Sequence, residues 1–320
     1  MELDSQGLEQ GLSADKSASP LDSGEPNVTN DFHSGPSSPP SSGRRVALRP
    51  IAPGDIPFLY GISTAVTSSF HWRLRGSTPS PENFTNQLWS DVLSQYIVFR
   101  KDTGEQLGLV VCHNANFIDG VAYLAALASP RYIGSGAMAE GAALFLEGIF
   151  KNWNFRKIYL EAPEFNVLRI QSGLKSFFHE EGRLKAHHFY NGQYHDQLLL
   201  AIYREEFNQL SPFIRVALGV DTEDTLPEGS SLRNWGSAED ILGLDQFCQL
   251  VSNEFDRPLD WVVPEAHLYD DLGFDSLDMI VLTVLLDEMT GQANTASYDR
   301  FTTVRETWLY YCEFSSRPTI

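Results

Sequence analysis

Two short segments of this sequence carry residues whose type and spacing could do chemistry. The first runs from Arg131 to Ala137 and contains Gly134, Ser135 and Gly136. It lies between an apolar run and a long amphipathic segment. Successive backbone N–H groups in a glycine-rich turn, followed by a helix N-terminus, form a pocket for anions. The segment therefore predicts a phosphate-binding loop, to which Arg131 adds a positive charge. A Gly-x-Gly pair by itself also occurs in plain tight turns.

The second segment runs from Asp270 to Asp278 and stands directly before another amphipathic stretch. Apolar residues recur there at i, i+3, i+4, i+7 and i+8, namely Leu277, Ile280, Val281, Val284 and Leu285. This spacing predicts a helix with Ser276 exposed at its N-terminus and Asp275 beside it. A serine at that position is also a common helix cap, so the residue types alone leave its role open.

Strand-like and helix-like segments alternate from residue 44 to residue 208 and must position the first segment. We predict strands at 45–50, 95–100, 107–112, 120–128, 157–162, 185–190 and 194–203, and helices at 55–68, 81–93, 135–152 and 167–176. The apolar face of the third helix is continuous and comprises Ala142, Phe145, Leu146, Ile149, Phe150 and Trp153. Asn191 and Gly192 favour a hairpin between the last two strands. The result is an α/β domain with a mixed sheet.

The rest of the chain divides by composition. Residues 1–43 are rich in Ser, Pro and Gly and are expected to be disordered. Residues 209–236 form a predicted linker with an apolar patch at 213–218, and residues 237–320 are predicted to be all-α. The three cysteines, Cys112, Cys248 and Cys312, lie far apart without metal-ligand spacing, which is typical of a reducing cytoplasm.

Charge and hydropathy exclude two classes of partner. The formal net charge is −19, whereas nucleic-acid binding needs clustered Lys and Arg to neutralise phosphates. No run of about 20 apolar residues is present, so no membrane span is expected. We therefore expect a cytoplasmic protein that binds neither nucleic acid nor membrane.

The first segment resembles the R/Q-x-x-G-x-G/A pyrophosphate loop of the GCN5-related N-acetyltransferases, and the resemblance continues in order over residues 45–207. It looks most like the subgroup that acetylates ribosomal-protein N-termini. The matching positions are Asn166, Lys175, Phe178, Glu181, Gly182, Gly192, Asp196 and the closing strand 200–207. Arg169 replaces that subgroup's serine and Phe177 its glycine, near where the acceptor enters.

The resemblance implies that acetyl-CoA or another acyl-CoA is a substrate and that an amine attacks its thioester directly. CoA-binding residues would be Arg131, Gly134, Ser135, Gly136, Ala137 and Asn166, with the pantetheine arm along strand 120–128. That strand carries no carboxylate from 121 to 128, so the family's usual base is not in its usual place. Glu161, Glu164, His187 and His188 are the candidate substitutes, unranked. Proximity alone can supply much of the rate of amine attack.

The second segment resembles the Leu-Gly-x-Asp-Ser-Leu signature of acyl and peptidyl carrier proteins, and the match extends over residues 239–313. By resemblance, Ser276 takes 4′-phosphopantetheine from CoA through a separate phosphopantetheinyl transferase. Acidic residues would form a recognition face for basic biosynthetic enzymes: Asp270, Asp271, Asp275, Asp278, Asp287 and Glu288. This resemblance implies that residues 237–320 form a four-helix carrier domain and that the protein acts in a polyketide or nonribosomal peptide pathway.

Three hypotheses combine the two halves. In the first, which we favour because the detailed match is to amine acylators, an acyl group moves from a pantetheine thioester onto an amine. In the second, the protein is a loading didomain that moves an acyl group from acyl-CoA onto its own carrier thiol. In the third, the acetyltransferase fold is inactive and only docks the carrier with its partners.

Overall fold

The computed structural model describes residues 42–66, 68–133, 135–167, 178–210, 212–221, 241–291 and 301–315. Contacts divide the chain into Met1–Pro36 and Ser37–Ile320, and all described residues belong to the second unit. Several predictions lie outside the described residues. They concern segment 1–41, Gly134, most of the predicted helix 167–176 with Arg169, Lys175 and Phe177, and linker residues 222–236.

Seven strands form one mixed sheet, as predicted. They are β1 (Val46–Arg49), β2 (Val92–Arg100), β3 (Gln106–Asn116), β4 (Val121–Ala128), β5 (Lys157–Pro163), β6 (His179–Tyr190) and β7 (Gln193–Tyr203). Their spatial order is β1-β2-β3-β4-β5-β7-β6. All neighbours are antiparallel except β4 and β5, which are parallel. The Asn191-Gly192 hairpin is confirmed, with φ angles of 49° and 82° that suit a tight primed turn.

The described α-helices are α1 (Ile56–Thr64), α2 (Pro81–Leu88), α3 (Ala137–Asn152), α4 (Glu164–Val167), α5 (Arg204–Asn208), α6 (Pro212–Ala217), α7 (Leu244–Glu254), α8 (Ser276–Thr290) and α9 (Val304–Ser315). Two predicted helices were too long. The predicted helix 55–68 ends at Thr64, and 81–93 ends at Leu88 because the chain turns through Asp91, at φ 56°, into β2. Among the described helices, none combines the length and apolar character needed to traverse a bilayer.

The sheet has a separate core on each face because successive strand residues point to opposite sides. Val110 and Cys112 of β3 join the core that α3 covers, whereas Leu109 and Val111 join the core under α1 and α2. The predicted apolar face of α3 is confirmed at Phe145, which lies in the first of these cores together with Leu146, Ile149 and Phe150. Residues 214–220 of the predicted linker also pack against this first core.

Helix α8 is buried on two faces, not on the single face predicted. Leu277, Ile280 and Val284 belong to the core beneath α3. Residues on the opposite side of α8 pack with α7 and α9 in a C-terminal core; they are Met279, Leu282, Leu285 and Leu286. A helix that is apolar nearly all round is buried between two layers, so α8 joins the α/β part of the chain to its C-terminal part.

The described C-terminal residues are helical, with three α-helices, a 3₁₀ turn at Leu259–Trp261 and no named strand between 241 and 315. The first of these three α-helices is α7. Residues 292–300 lie outside the described part of the chain.

Candidate active site

Strands β4 and β5 separate part-way along the sheet and leave a wedge. They pair only at Val121–Lys157, Ala122–Ile158 and Tyr123–Tyr159. Beyond Tyr123, β4 continues to Ala128 and β5 to Pro163 without pairing with each other. A cavity of about 380 Å³ occupies this wedge and is lined by residues 123–128 of β4 and 160–163 of β5. Among the described residues, the backbone N–H and C=O groups of residues 124–128 of β4 that face β5 therefore lack a strand partner.

The cavity has a different lining on each side of the sheet. On the α3 side its wall is apolar and consists of Met138, Ala139, Ala142, Ala143 and Leu146. On the other side it is polar and aromatic, with Phe70, His71, Arg73, Arg75, His113 and Glu161. The small side chains on α3 leave width for an extended ligand, whereas the opposite side offers charged groups. The cavity thus has one side suited to an apolar arm and one suited to a polar reactant.

The predicted anion loop lies next to this cavity: the flanking residues Ile133 and Met138 line the cavity, whereas Ser135, Gly136 and Ala137 do not. Gly136 is the N-cap of α3, with φ 82° and ψ −30°, and Ala137 is buried. The Ser135 hydroxyl donates its hydrogen bond to the carbonyl oxygen of Tyr132 at 2.9 Å. Arg131 is not among the lining residues; it is exposed and its Nη1 lies 3.2 Å from Glu105 Oε1.

Ser276 lines the same cavity. It is the first residue of α8 and not its cap, because the Asp275 carboxylate accepts from the N–H groups of Leu277 at 2.9 Å and Asp278 at 3.3 Å. The prediction that Ser276 is exposed was wrong: it is half-buried. The reason is close packing on the anion loop, since a Cβ built on Gly136 would lie 2.8 Å from the carbonyl oxygen of Ser276.

Several carboxylates of the predicted acidic face already bind groups of the same chain. Asp275 caps α8, and Asp278 Oδ2 lies 3.2 Å from Arg257 Nη2. Asp287 is buried, with Oδ2 at 3.3 Å from Nη2 of Arg44 and 2.5 Å from Nη2 of Arg45. Glu288 is half-buried, and Asp270 and Asp271 are exposed. The expectation that all six acids present one open face is therefore wrong.

The four candidate bases occupy different surroundings. Glu161 lines the cavity. Glu164 is exposed, is not among the lining residues and lies 3.5 Å from Arg183 Nη1. His187 is exposed outside the cavity lining.

The fourth candidate, His188, is buried and fully engaged. Its Nε2 donates to Gln197 Oε1 at 2.5 Å, and its Nδ1 faces the guanidinium of Arg75. Burial, and then the charge of Arg75, lower the pKa of His188. A neutral imidazole in this position fixes Arg75, which does line the cavity.

Two polar residues that the sequence did not lead us to expect also line the cavity. His113 of β3 and Tyr123 of β4 are paired in register, with ring centroids 5.8 Å apart. Nδ1 of His113 is buried and has no hydrogen-bond partner among the described residues. Burial, and then the charge of Arg73, lower the pKa of His113, while burial and then the charge of Glu161 raise that of Tyr123. The available signal was one polar aromatic residue within each of two apolar strands.

Asn166, predicted to contact CoA, lines the cavity on its polar side. Its Nδ2 donates to the carbonyl oxygen of His71 at 3.3 Å, and its Oδ1 contacts His71 Nδ1. This pair ties the short helix α4 to the segment after α1. Asn166 therefore shapes the side of the cavity opposite α3.

Ser276 and Gly136 differ in the space that surrounds them. The half-buried Ser276 hydroxyl shares a cavity with the unpaired edge of β4, and among the described residues it makes no hydrogen bond that would need to be broken. The approach to Gly136, where a CoA pyrophosphate would lie, is filled by the Ser276 carbonyl and the Ile280 side chain.

The mixed sheet and the glycine-capped helix α3 were expected from the sequence, whereas the wedge between β4 and β5 was not. No protein-family model matches the sequence. Spermidine N(1)-acetyltransferase of Escherichia coli strain K12 is 25% identical over 173 residues, which cover 52% of this chain and 90% of that protein. The same enzyme of Escherichia coli O157:H7 matches equally.

Among solved structures, spermidine N-acetyltransferase from Vibrio cholerae in complex with CoA and spermine is 23% identical, with a TM-score of 0.46 over 51% of this chain and 98% of that one. The Escherichia coli relatives are acetyltransferases that match about half of this chain, and the fold of that half is of the acetyltransferase type. The carrier interpretation and the ribosomal-protein subgroup stay predictions.

Proposed function

We propose that this protein transfers an acyl group from a pantetheine thioester, on CoA or on Ser276, to an amine. The observation that carries the proposal is the shared cavity: Ser276 lies on the same lining as Glu161, His113 and the open edge of β4. An arm attached to a half-buried serine can extend only into a cavity that the serine borders. Here the hydroxyl borders a cavity that leads into the wedge of an acyltransferase sheet.

The thioester supplies an activated acyl carbon, at which the amide C–N bond forms as the C–S bond breaks. The protein must remove a proton from the attacking ammonium and return one to the departing thiolate. We assign the first task to His113, because it lines the cavity and its lowered pKa keeps the imidazole neutral. Glu161 is suited to bind the ammonium, and Tyr123, whose raised pKa keeps it protonated, is suited to donate to sulfur.

The acceptor would enter from the polar side of the cavity. Arg73 and Arg75 line that side, and two guanidinium groups favour an amine that also carries an anionic group. A polyamine, the substrate named for the relatives, brings only positive charge. We therefore infer an amino acid or a peptide α-amine as acceptor, which also suits the resemblance to enzymes that acetylate ribosomal-protein N-termini. A carrier-bound donor would place the reaction in a polyketide or nonribosomal peptide pathway.

The test begins with conversion of the purified chain by a phosphopantetheinyl transferase, followed by intact-protein mass measurement. Ser276→Ala is the control and should gain no mass. The acyl-loaded chain is then mixed with a panel that includes an amino acid, a peptide and spermidine. We expect loss of the acyl group from the arm and its appearance on the carboxylate-bearing amines.

Other outcomes separate the alternatives. Acylation of the free arm by acyl-CoA in the absence of amine would indicate the loading didomain. An arm that attaches, accepts no acyl group and donates none would indicate a docking module. Failure of every transferase tested to modify Ser276 would refute the carrier assignment.

A further inference from the structure

We propose that helix α8, as docked, closes the Gly136 end of the cavity against free CoA and thereby selects the thioester on Ser276 of the same chain as donor. The selection of the donor rests on the proposed function of Ser276. The exclusion of free CoA depends only on packing and is testable in the unmodified protein. Free CoA would bind productively only after α8 moves away from α3.

The space above Gly136 is the first support. A Cβ at that position would lie 2.8 Å from the Ser276 carbonyl oxygen, 2.8 Å from Ile280 Cγ1 and 3.4 Å from the Ile280 nitrogen. Two of these atoms belong to the backbone of α8, so rotamer changes cannot clear them. A pyrophosphate placed directly over the Cα of Gly136 would need the same space. In the docked arrangement the two cannot coexist.

The area around this contact is apolar and buried. Leu277, Ile280 and Val284 pack in the same core as the buried face of α3. Their spacing, i, i+3 and i+7, places all three on one side of α8. The interface is therefore continuous over two turns of the helix and is not a single point contact at Gly136.

An ion-pair cluster fixes the far end of the same interface. Asp287 is buried against Arg44 and Arg45, which precede β1. Asp287 follows Ser276 by 11 residues, or about three helical turns at 3.6 residues per turn, so both lie on the same strip of α8. We call Arg44, Arg45 and Asp287 the latch. It holds α8 in the register that brings Ser276 onto Gly136.

The docked register also suits delivery from Ser276. Residues 123–128 of β4 line the cavity continuously, a span of roughly 17 Å at about 3.4 Å per residue. An extended phosphopantetheine arm is of comparable length. The arm would begin at the end of the channel that α8 closes, so the attached donor gains access through the same contact that blocks free CoA.

The first experiment titrates free CoA into the unmodified full-length chain by calorimetry. Wild type is compared with Asp287→Arg, which reverses the charge of the latch, and with Asp270→Arg, an exposed control on the preceding loop. We expect Asp287→Arg to bind CoA at least about tenfold more tightly than wild type, a change of roughly 1.4 kcal/mol, and Asp270→Arg to match wild type. Equal affinities for wild type and Asp287→Arg would overturn the proposal. If Asp287→Arg fails to fold, Arg45→Glu tests the latch from the other side.

The second experiment compares hydrogen exchange of the apo and phosphopantetheinylated chains. We expect slower exchange at the β4 amides 124–128 in the modified chain, no change in Ser276→Ala treated in parallel, and weaker CoA binding after modification. Mass measurement reports separately whether the arm is attached. An attached arm with unchanged β4 exchange and unchanged CoA affinity would refute the selection of donor while leaving the carrier function standing. An arm that never attaches would refute the carrier function, and the CoA titration would still decide whether α8 excludes CoA.

Discussion

Replacing Asp287 with asparagine is the change that most directly probes how the two parts of the chain are joined. The Asp287 side chain is 2% exposed, and its partners Arg44 and Arg45 are 8% and 10% exposed. Asparagine keeps the shape but removes the charge, so two buried guanidinium groups lose the charge of this carboxylate. Breaking a buried pair in this way costs about 3–5 kcal/mol. We expect Asp287→Asn to lower the free energy of unfolding by about 3 kcal/mol or more.

The assay is urea denaturation of the unmodified chain, monitored by circular dichroism and by tryptophan fluorescence. Asp270→Asn is the matched control, since Asp270 is 71% exposed and its partner is His267 at 3.4 Å. An exposed pair contributes about 0–1 kcal/mol, so this variant should unfold close to wild type. The double variant with Arg45→Gln should cost less than the sum of the two single changes. A loss below about 1 kcal/mol in Asp287→Asn, the level of an exposed pair, would refute the buried latch.

Three further predictions concern the site and its surroundings. Gly136→Ala should destabilise the protein by at least about 1 kcal/mol more than Gly192→Ala. Both glycines have φ 82°, but only at Gly136 would a Cβ meet other atoms. Equal losses of stability in thermal or urea unfolding would refute close docking at Gly136. His113→Gln should slow acyl transfer by about 100-fold or more, whereas His187→Gln, exposed outside the cavity, should leave it unchanged. Because burial lowers the pKa of His113 below its usual 6.5, wild-type rates should hold as pH falls through 6.5 and decline only below it; a decline centred above 6.5 would contradict this role. Burial raises the pKa of Cys112 to about 12, so iodoacetamide should modify it only after unfolding; peptide mass mapping that finds native Cys112 alkylated before the half-buried Cys312 would be contrary evidence.

Local patterns predicted the frame of the α/β part well. The face of α3 was readable because its apolar residues repeat at helical spacing, and Asn191-Gly192 specified its hairpin because few residue pairs tolerate two positive φ angles. The ends of the helices were predicted less accurately than their positions. The helix starting at Pro81 was extended five residues too far, because the turn at Asp91 depends on where β2 must begin and not on local periodicity.

The site itself depends on non-local information. The pairing of His113 with Tyr123 requires the register of β3 and β4, which neither strand specifies alone. Residues 279–286 of α8 are nearly all apolar. We predicted one buried face from their spacing and missed the second, because periodicity does not show how many neighbouring elements a helix packs against. The same run explains why Ser276 is half-buried. A helix packed on two sides brings its N-terminus against the neighbouring domain.

The most direct test of the central claim is a single-turnover measurement on the chain acylated at Ser276 and freed of acyl-CoA. After an amine is added, intact mass follows the loss of the acyl group at several protein concentrations. Donation within one chain predicts a first-order rate constant that does not change with protein concentration and that falls in His113→Gln. An acyl group that stays on the arm, or a rate constant that rises in proportion to protein concentration, would contradict delivery from Ser276 into the cavity of the same chain.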